Sequence, residues 1–261
     1  MTGAPQAQPG GVRWSLVVPV QDASRAKSRL APPHPLSRPD LARAVARDTL
    51  EQVCRALPPE QVTVVTSDAS ATRVAQDLGT IVVVDPGHGL NGAIRAGLRA
   101  AQAAQTARAR VTTQAGGAVR SPRPTERAAG WAVLLGDLPA LQPHELVAAL
   151  ATCAAHAAAI VPDADGTGTV LLTSTTTPPE PAFGAGSAAR HQQRATRLEL
   201  DLPGLRRDVD TATDLATALE LGVGRHTART LAPLGWATAT DGSSWPSVPP
   251  AWPGAADPDP R

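Results

Sequence analysis

The sequence predicts a single α/β domain built on a mostly parallel sheet, and three observations carry that expectation. Apolar, β-branched runs at 14–20, 62–66 and 81–84 alternate with helix-patterned segments, the βαβαβ order that makes parallel sheets. Residues 131–135 (WAVLL) run without a polar break, as in a strand covered on both faces. A chain of 261 residues holds one such domain with tails, while two full domains would be cramped.

Taken in order, residues 1–12 form a leader expected to be disordered, and the strand Trp14–Val20 keeps Pro19 near its end, where ladder bonding stops. The loop QDASRAKSRLAP follows. It contains neither G-x-G-x-x-G nor G-x-x-x-x-G-K-[ST], which disfavours a dinucleotide dehydrogenase and a P-loop hydrolase. Arg25, Lys27 and Arg29 lie within five residues, either as a solvated basic loop or as a cluster that meets a polyphosphate. Lys27 is the lone lysine among 24 basic residues.

Ser37-Arg38-Pro39-Asp40 reads as a cap with proline in the first turn and predicts a helix from about Asp40 to Leu57. The strand 62–66, a short helix 69–78 and the strand 81–84 follow, with Asp68 and Asp85 just past strand ends. The loop DPGHGLNGAIRAG opens a helix from Asn91-Gly92 to about Ala104. Such a helix start suits an anion or a nucleobase, and Asn91 also reads as a plain N-cap. Residues 105–129, polar and Gly/Pro-punctuated, are read as a surface insertion.

The strand at 131–135 stops at Gly136-Asp137. Ligands of open α/β sheets bind beyond the carboxyl ends of the strands, so Asp137 is the first functional candidate. The alternative is a tight turn capping the helix predicted over 143–158. Strands 159–162 and 170–174 flank DADGTGT, where Thr169 adds a hydroxyl at the rim. In PAFGAGSAARH, Gly184 and Gly186 lead to Ser187 as the expected cap of a helix. Its N-terminus, with Arg190 and His191 one turn on, suits a phosphate or carboxylate. Alternation in RDVD puts Asp208 and Asp210 on one side of the chain, before a second capping box at Thr211–Asp214 and a helix to Leu221. Residues 232–261 are rich in Pro, Gly and Ser and are excluded from the fold as a disordered tail.

Composition narrows the classes. A net charge of +1 argues against a nucleic-acid partner. The absence of an eighteen-residue apolar run or a secretory leader argues against a membrane and for a cytoplasmic location. Cys54 and Cys153 lie on predicted apolar helix faces without neighbours at metal spacing, which predicts buried free thiols.

Six segments, RAKSRLAP at 25–32, LNGAI at 90–94, LLGDLPAL at 134–141, DGTGT at 165–169, FGAGSAARH at 183–191 and RDVDTATDL at 207–215, resemble the CofC/FbiD guanylyltransferases in residues and order. That family activates a phosphorylated three-carbon acid in coenzyme F(420) biosynthesis. The resemblance implies a nucleotidyltransferase domain at 13–231 with a three-layer, mixed, mostly parallel sheet of nucleotide-diphospho-sugar transferase (GT-A, Rossmann-like) type. It implies GMP transfer from GTP with release of diphosphate, onto phosphoenolpyruvate as in the actinobacterial branch, and a product passed to the next transferase of the pathway. Asp137 and Asp208 would hold Mg²⁺ and, with Lys27, carry catalysis. Thr169, Gly184 and Ser187 would bind phosphoenolpyruvate, and Lys27, Arg29, Asn91 and Gly92 the nucleotide. Asp210 is either a further ligand or an orienting neighbour.

The attacking oxygen is already anionic, so no serine, cysteine or histidine nucleophile is required and the barrier is electrostatic. Gln21, Ala164-Asp165 and Ala212 depart from the family pattern, and none of them removes a proposed metal ligand. Two rivals stay open: another acceptor (2-phospho-L-lactate, 3-phosphoglycerate, a sugar phosphate or a molybdenum cofactor precursor), or a catalytically idle nucleotide-binding protein. Magnesium-dependent diphosphate release separates the second rival from the enzyme.

Overall fold

The structure, a computed structural model, describes residues 11–114 apart from 28, 31, 33 and 34, and residues 128–234. The expectations for the leader up to residue 10, for the middle of the insertion and for the tail from residue 235 lie outside the described residues. No helix among the described residues is long and apolar enough to cross a membrane.

The elements are β1 (Val12–Val20), α1 (Arg38–Ala56), β2 (Val62–Thr66), α2 (Ala69–Asp77), β3 (Ile81–Val84), α3 (Gly89–Gln114), β4 (Ala128–Leu134), α4 (Pro143–Cys153), β5 (Ala158–Pro162), β6 (Thr169–Ser174), α5 (Ser187–His191), β7 (Thr196–Arg197), α6 (Pro203–Arg206), α7 (Ala212–Leu221) and α8 (Arg225–Leu231). The strands form one sheet in the order β3-β2-β1-β4-β6-β5-β7. β1 runs parallel to β2 and β4, and β2 to β3, while β6 is antiparallel to both β4 and β5. The expected mixed, mostly parallel sheet is therefore present, with β6 as its reversed strand.

Both sheet faces are covered, as the unbroken apolar runs require. One face packs Leu16, Val18, Val64 and Leu134 against α1, α2 and α4; the other packs Val17, Val65 and Val133 against Ile94 and Leu98 of α3 and Ala188 of α5. Cys153 is buried and Cys54 partly so, both free, and burial pushes each thiol up to about 11.

Two boundaries differ from expectation, and three elements were not expected. α3 continues through Gln114, ten residues into the stretch read as insertion, because Ala, Arg and Gln favour helix even where no apolar stripe marks it. α4 ends at Cys153, five residues early. β7 and α6 are too short for a periodic signal. α8 was missed because its first turn is held from a distance: buried Asp48 on α1 accepts the backbone N–H groups of His226 (3.0 Å) and Thr227 (2.7 Å).

Asp48 thus acts as the missing N-cap of α8. Asp48→Ala is expected to cost about 2–4 kcal/mol, since two charge-assisted bonds vanish and two donors are stranded. Urea unfolding measures this, and a loss below about 0.5 kcal/mol would show that α8 docks by apolar contact alone.

Candidate functional site

The chain departs from β1 toward β2 and β3 on one side and returns to β4 on the other, so the carboxyl ends of β1 and β4 flank a topological switch point. The loop at 21–30 leaves one end and Gly136-Asp137 the other. A side chain on Gly136 would meet the carbonyl oxygen of Pro19 at 2.7 Å, so only glycine lets the turn lie this close to β1. Two further bonds place the aspartate. Buried Thr49 accepts the Leu138 N–H at 3.0 Å, and the Asp137 carbonyl accepts the Val209 N–H at 3.2 Å. The second bond also brings the RDVD segment alongside, with Val209 buried and its flanking acids on the other side, as alternation predicted.

Lys27 enters this acid group from β1. It has φ 57°, the one positive φ outside glycine among the described residues, a backbone state that costs about 1 kcal/mol for a side chain of its kind. Its side chain is 7% exposed, and its ammonium forms ion pairs with Asp137 Oδ2 and, at 3.2 Å, with Asp210 Oδ1. Burial pulls the lysine down, but the two carboxylates outweigh it and hold Lys27 above its ordinary range. Arg29, largely exposed, reaches Asp210 at 3.3 Å.

The acids still exceed the cations. Asp137 Oδ1 is buried without a hydrogen-bond partner, and Asp208 accepts no hydrogen bond from any described residue. Burial first, then the charges of Asp137, Asp210 and Asp163, raise Asp208 to about 7 despite Lys27. Among the described residues no group of three or more His, Cys, Asp or Glu forms a ready-made metal cage.

Antiparallel β6 begins where β4 ends, so Thr169 lies at the same edge; the Leu135 N–H donates to the Val170 carbonyl at 3.0 Å. The 182–187 loop is tied to this edge by the Ala188 N–H on the Thr167 carbonyl at 3.1 Å and is clasped from two sides. Asn91 accepts the Phe183 N–H at 2.8 Å and donates to the Phe183 carbonyl at 3.1 Å. Arg190 donates to the carbonyls of Ala182, Ala185 and Gly184. With those carbonyls occupied, the N–H groups of Gly184, Ala185 and Gly186 make no hydrogen bond with any described residue. Three free peptide donors in a row, with Gly184 and Gly186 at positive φ, give this turn the make-up of a backbone nest.

Other expected roles change. Ser187 is buried inside the first turn of α5, and the N-cap is Gly186 at φ 68°, a conformation serine avoids. Both polar atoms of the Asn91 amide go to Phe183, so in this structure it holds the nest and does not cap α3. Gly92 is tight for a different reason: a Cβ there would sit 2.6 Å from the Cβ of His88. Asp68 caps α2 and receives Arg43, and Asp85 folds back onto the Gly87 N–H. A cavity of about 240 Å³ between α1 and α2, lined by Arg43, Asp68 and Val74, contains none of Lys27, Asp137, Asp208 or Asp210. The clasp at Arg190 and the pairing of Lys27 with Asp210 escaped sequence reasoning, because only the assembled sheet brings them together.

Residues 41–201 match the MobA-like NTP transferase domain, a span that includes Asp137, Thr169, Gly184 and Ser187 and stops short of Asp208. Phosphoenolpyruvate guanylyltransferase from Geodermatophilus obscurus is 43% identical over 84% of this chain and 94% of its own length. The protein of the same name from Streptomyces coelicolor is 42% identical over 85% and 98%. Among solved structures, Rv0371c from Mycobacterium tuberculosis H37Rv is 26% identical, covering 79% of this chain and 97% of that one, at a TM-score of 0.44. With a MobA-like domain across most of the sheet and such identity over nearly the whole length of these relatives, the chain belongs to the phosphoenolpyruvate guanylyltransferase family of nucleotidyltransferases.

Proposed function

We propose that this protein transfers GMP from GTP to phosphoenolpyruvate, forming enolpyruvoyl-2-diphospho-5'-guanosine and diphosphate, as a step of coenzyme F(420) biosynthesis. The observation that carries the reading is a pair of unlike groups joined through the 163–169 loop, where Asp163 faces Asp208 and the Thr167 carbonyl accepts the Ala188 N–H. One is a surplus of carboxylates around Lys27, and the other is the three unspent peptide donors at 184–186.

In the reaction a phosphate oxygen of phosphoenolpyruvate attacks the α-phosphorus of GTP. The bond from that phosphorus to the β-bridging oxygen breaks, and the electron pair leaves with diphosphate. The nest and the Ser187 turn hold the acceptor phosphate, with the Thr169 hydroxyl beside them. Lys27 and Arg29 offset charge on the leaving diphosphate. The orphaned Asp137 Oδ1 and the unpartnered, charge-crowded Asp208 fit a divalent cation, for which Mg²⁺ is the natural choice. It accepts a few carboxylates and leaves its other positions to water and phosphate. When bound, the ion supplies charge neutralisation across the phosphates. Asp210 pairs with Lys27 and Arg29 and is assigned as the orienting neighbour. The substrates are cytosolic metabolites, so the cytoplasm is its inferred location, and the diphosphate-linked product suits a following transferase.

The test is diphosphate release from GTP with Mg²⁺ and phosphoenolpyruvate, 2-phospho-L-lactate or 3-phosphoglycerate in turn. Release fastest with phosphoenolpyruvate is expected. Faster release with another acid would reassign the acceptor, and no release with any would leave an idle nucleotide-binding protein. At the acceptor group, Ser187→Ala is expected to raise the KM for the acid about tenfold and leave that for GTP within about twofold. Equal rises would make Ser187 structural.

A further inference from the structure

We propose that His191 is a positioning residue: held in a single tautomer by the backbone, it fixes the Thr169 hydroxyl as a hydrogen-bond donor toward the acceptor acid. This rests on the assignment of Thr169 to the acceptor site.

The ring of His191 is buried, and its two nitrogens face unlike partners. Nε2 lies 2.9 Å from the backbone nitrogen of Ala182. A peptide N–H can only donate, so Nε2 must present its lone pair. The neutral ring then carries its proton on Nδ1, 3.0 Å from Thr169 Oγ1. Thr169 therefore accepts from the ring, and its own hydroxyl proton is left over. No other described residue takes that proton, so it is an unspent donor at the first residue of β6, two residues from the Thr167 carbonyl that accepts the Ala188 N–H.

The ring cannot swing away. Phe183 packs edge-on against it at 4.9 Å and 69° between planes, and Phe183 is itself clasped by Asn91. Nor does the ring readily take a second proton, which would set Nε2–H against the Ala182 N–H. Burial, with Arg190 adding to it, holds His191 down at about 4. His191 is thus a fixed neutral strut and does not act as an acid or base at neutral pH. The same chain of contacts ties the nest to the hydroxyl, because Ala182 leads into the loop and Thr169 starts the strand.

Two substitutions separate the two ring bonds. In His191→Asn the amide nitrogen falls near Nδ1 and keeps the donor to Thr169, whereas in His191→Gln the amide oxygen reaches the position of Nε2 and keeps the acceptor for Ala182. The expected result is a rise of about tenfold in KM for phosphoenolpyruvate with Gln, a change within about threefold with Asn, and KM for GTP unchanged in both. Equal effects of Asn and Gln, or an effect on GTP, would overturn the proposal. Thr169→Val is run alongside. If Val raises the acid's KM and Gln does not, the His191 role fails alone, and if Val has no effect, the acceptor assignment of Thr169 fails with it. Should either His191 variant fail to fold, ¹⁵N NMR of the parent protein at pH 7 decides. A protonated Nδ1 with a bare Nε2 is expected, and the opposite tautomer or a cationic ring contradicts the proposal.

Discussion

Asp137→Asn and Asp208→Asn are each expected to lower turnover at least about a hundredfold, about 2.7 kcal/mol of transition-state stabilisation. Each change keeps size and removes one charge from a cation that takes few protein oxygens, so high Mg²⁺ should restore part of the loss. The structure sharpens the expectation for Asp137, whose Oδ1 is buried with no protein partner while Oδ2 meets Lys27. An amide at that position strands a donor or an acceptor even before metal is added. If both carboxylates act on one ion, as proposed, the double variant should cost far less than the product of the singles. Steady-state kinetics of the four proteins checks this. Multiplicative losses would mean separate tasks, and a fully active Asp137→Asn enzyme would reduce Gly136-Asp137 to a turn.

Lys27→Met is expected to have the next largest effect, because Lys27 pairs the acids of the resting fold and, in the proposed reaction, also meets the leaving diphosphate. Methionine keeps the volume and the backbone constraint at φ 57°, so the change isolates the ammonium. Without it, Asp137 and Asp210 lose their buried partner, and Asp208, already raised by burial and its acidic neighbours, loses the one charge that lowers it. The expected loss is about 1–3 kcal/mol of stability, discounted from the value of a fully buried pair because Asp210 is 47% exposed. Added Mg²⁺ should recover much of the melting temperature in Lys27→Met and far less in the parent, since the metal replaces the missing positive charge. Activity should stay down about a hundredfold with Mg²⁺ saturating, because charge on the leaving diphosphate is no longer offset. An unchanged melting temperature would show that the acids do not depend on Lys27. Full activity would remove Lys27 from the mechanism.

These two positions were also the most legible in the sequence, for local reasons. An apolar run ended by Gly-Asp marks a buried strand and the loop after it. A single lysine in an arginine-rich chain stands out without any structure. The caps at Ser37 and Thr211 were readable because such a cap closes within four residues: both side chains accept the N–H three residues on, and at Thr211 the full capping box forms. What stayed hidden is non-local. Gly186 takes the cap expected at Ser187 because the clasped loop holds its backbone left-handed. α8 begins where it does because Asp48, 178 residues before His226, supplies its cap. Asn91 looked like an N-cap or a nucleotide contact, since nothing near it in the chain points to Phe183, 92 residues on. His191 appeared as one more basic group by a helix start, and only its opposed partners Ala182 and Thr169 reveal a neutral strut.

The central claim is that the acid's own phosphate oxygen attacks GTP, and isotope tracing tests it most directly. GTP is mixed with Mg²⁺ and phosphoenolpyruvate carrying ¹⁸O in all phosphate oxygens, with the next transferase present to trap a labile product, and the products are resolved by mass spectrometry. The account predicts a guanosine product that retains every labelled oxygen, one of them now bridging the two phosphorus atoms, together with unlabelled diphosphate in equal amount. Label in the released diphosphate, or GMP formed without a phosphoenolpyruvate adduct, would contradict it.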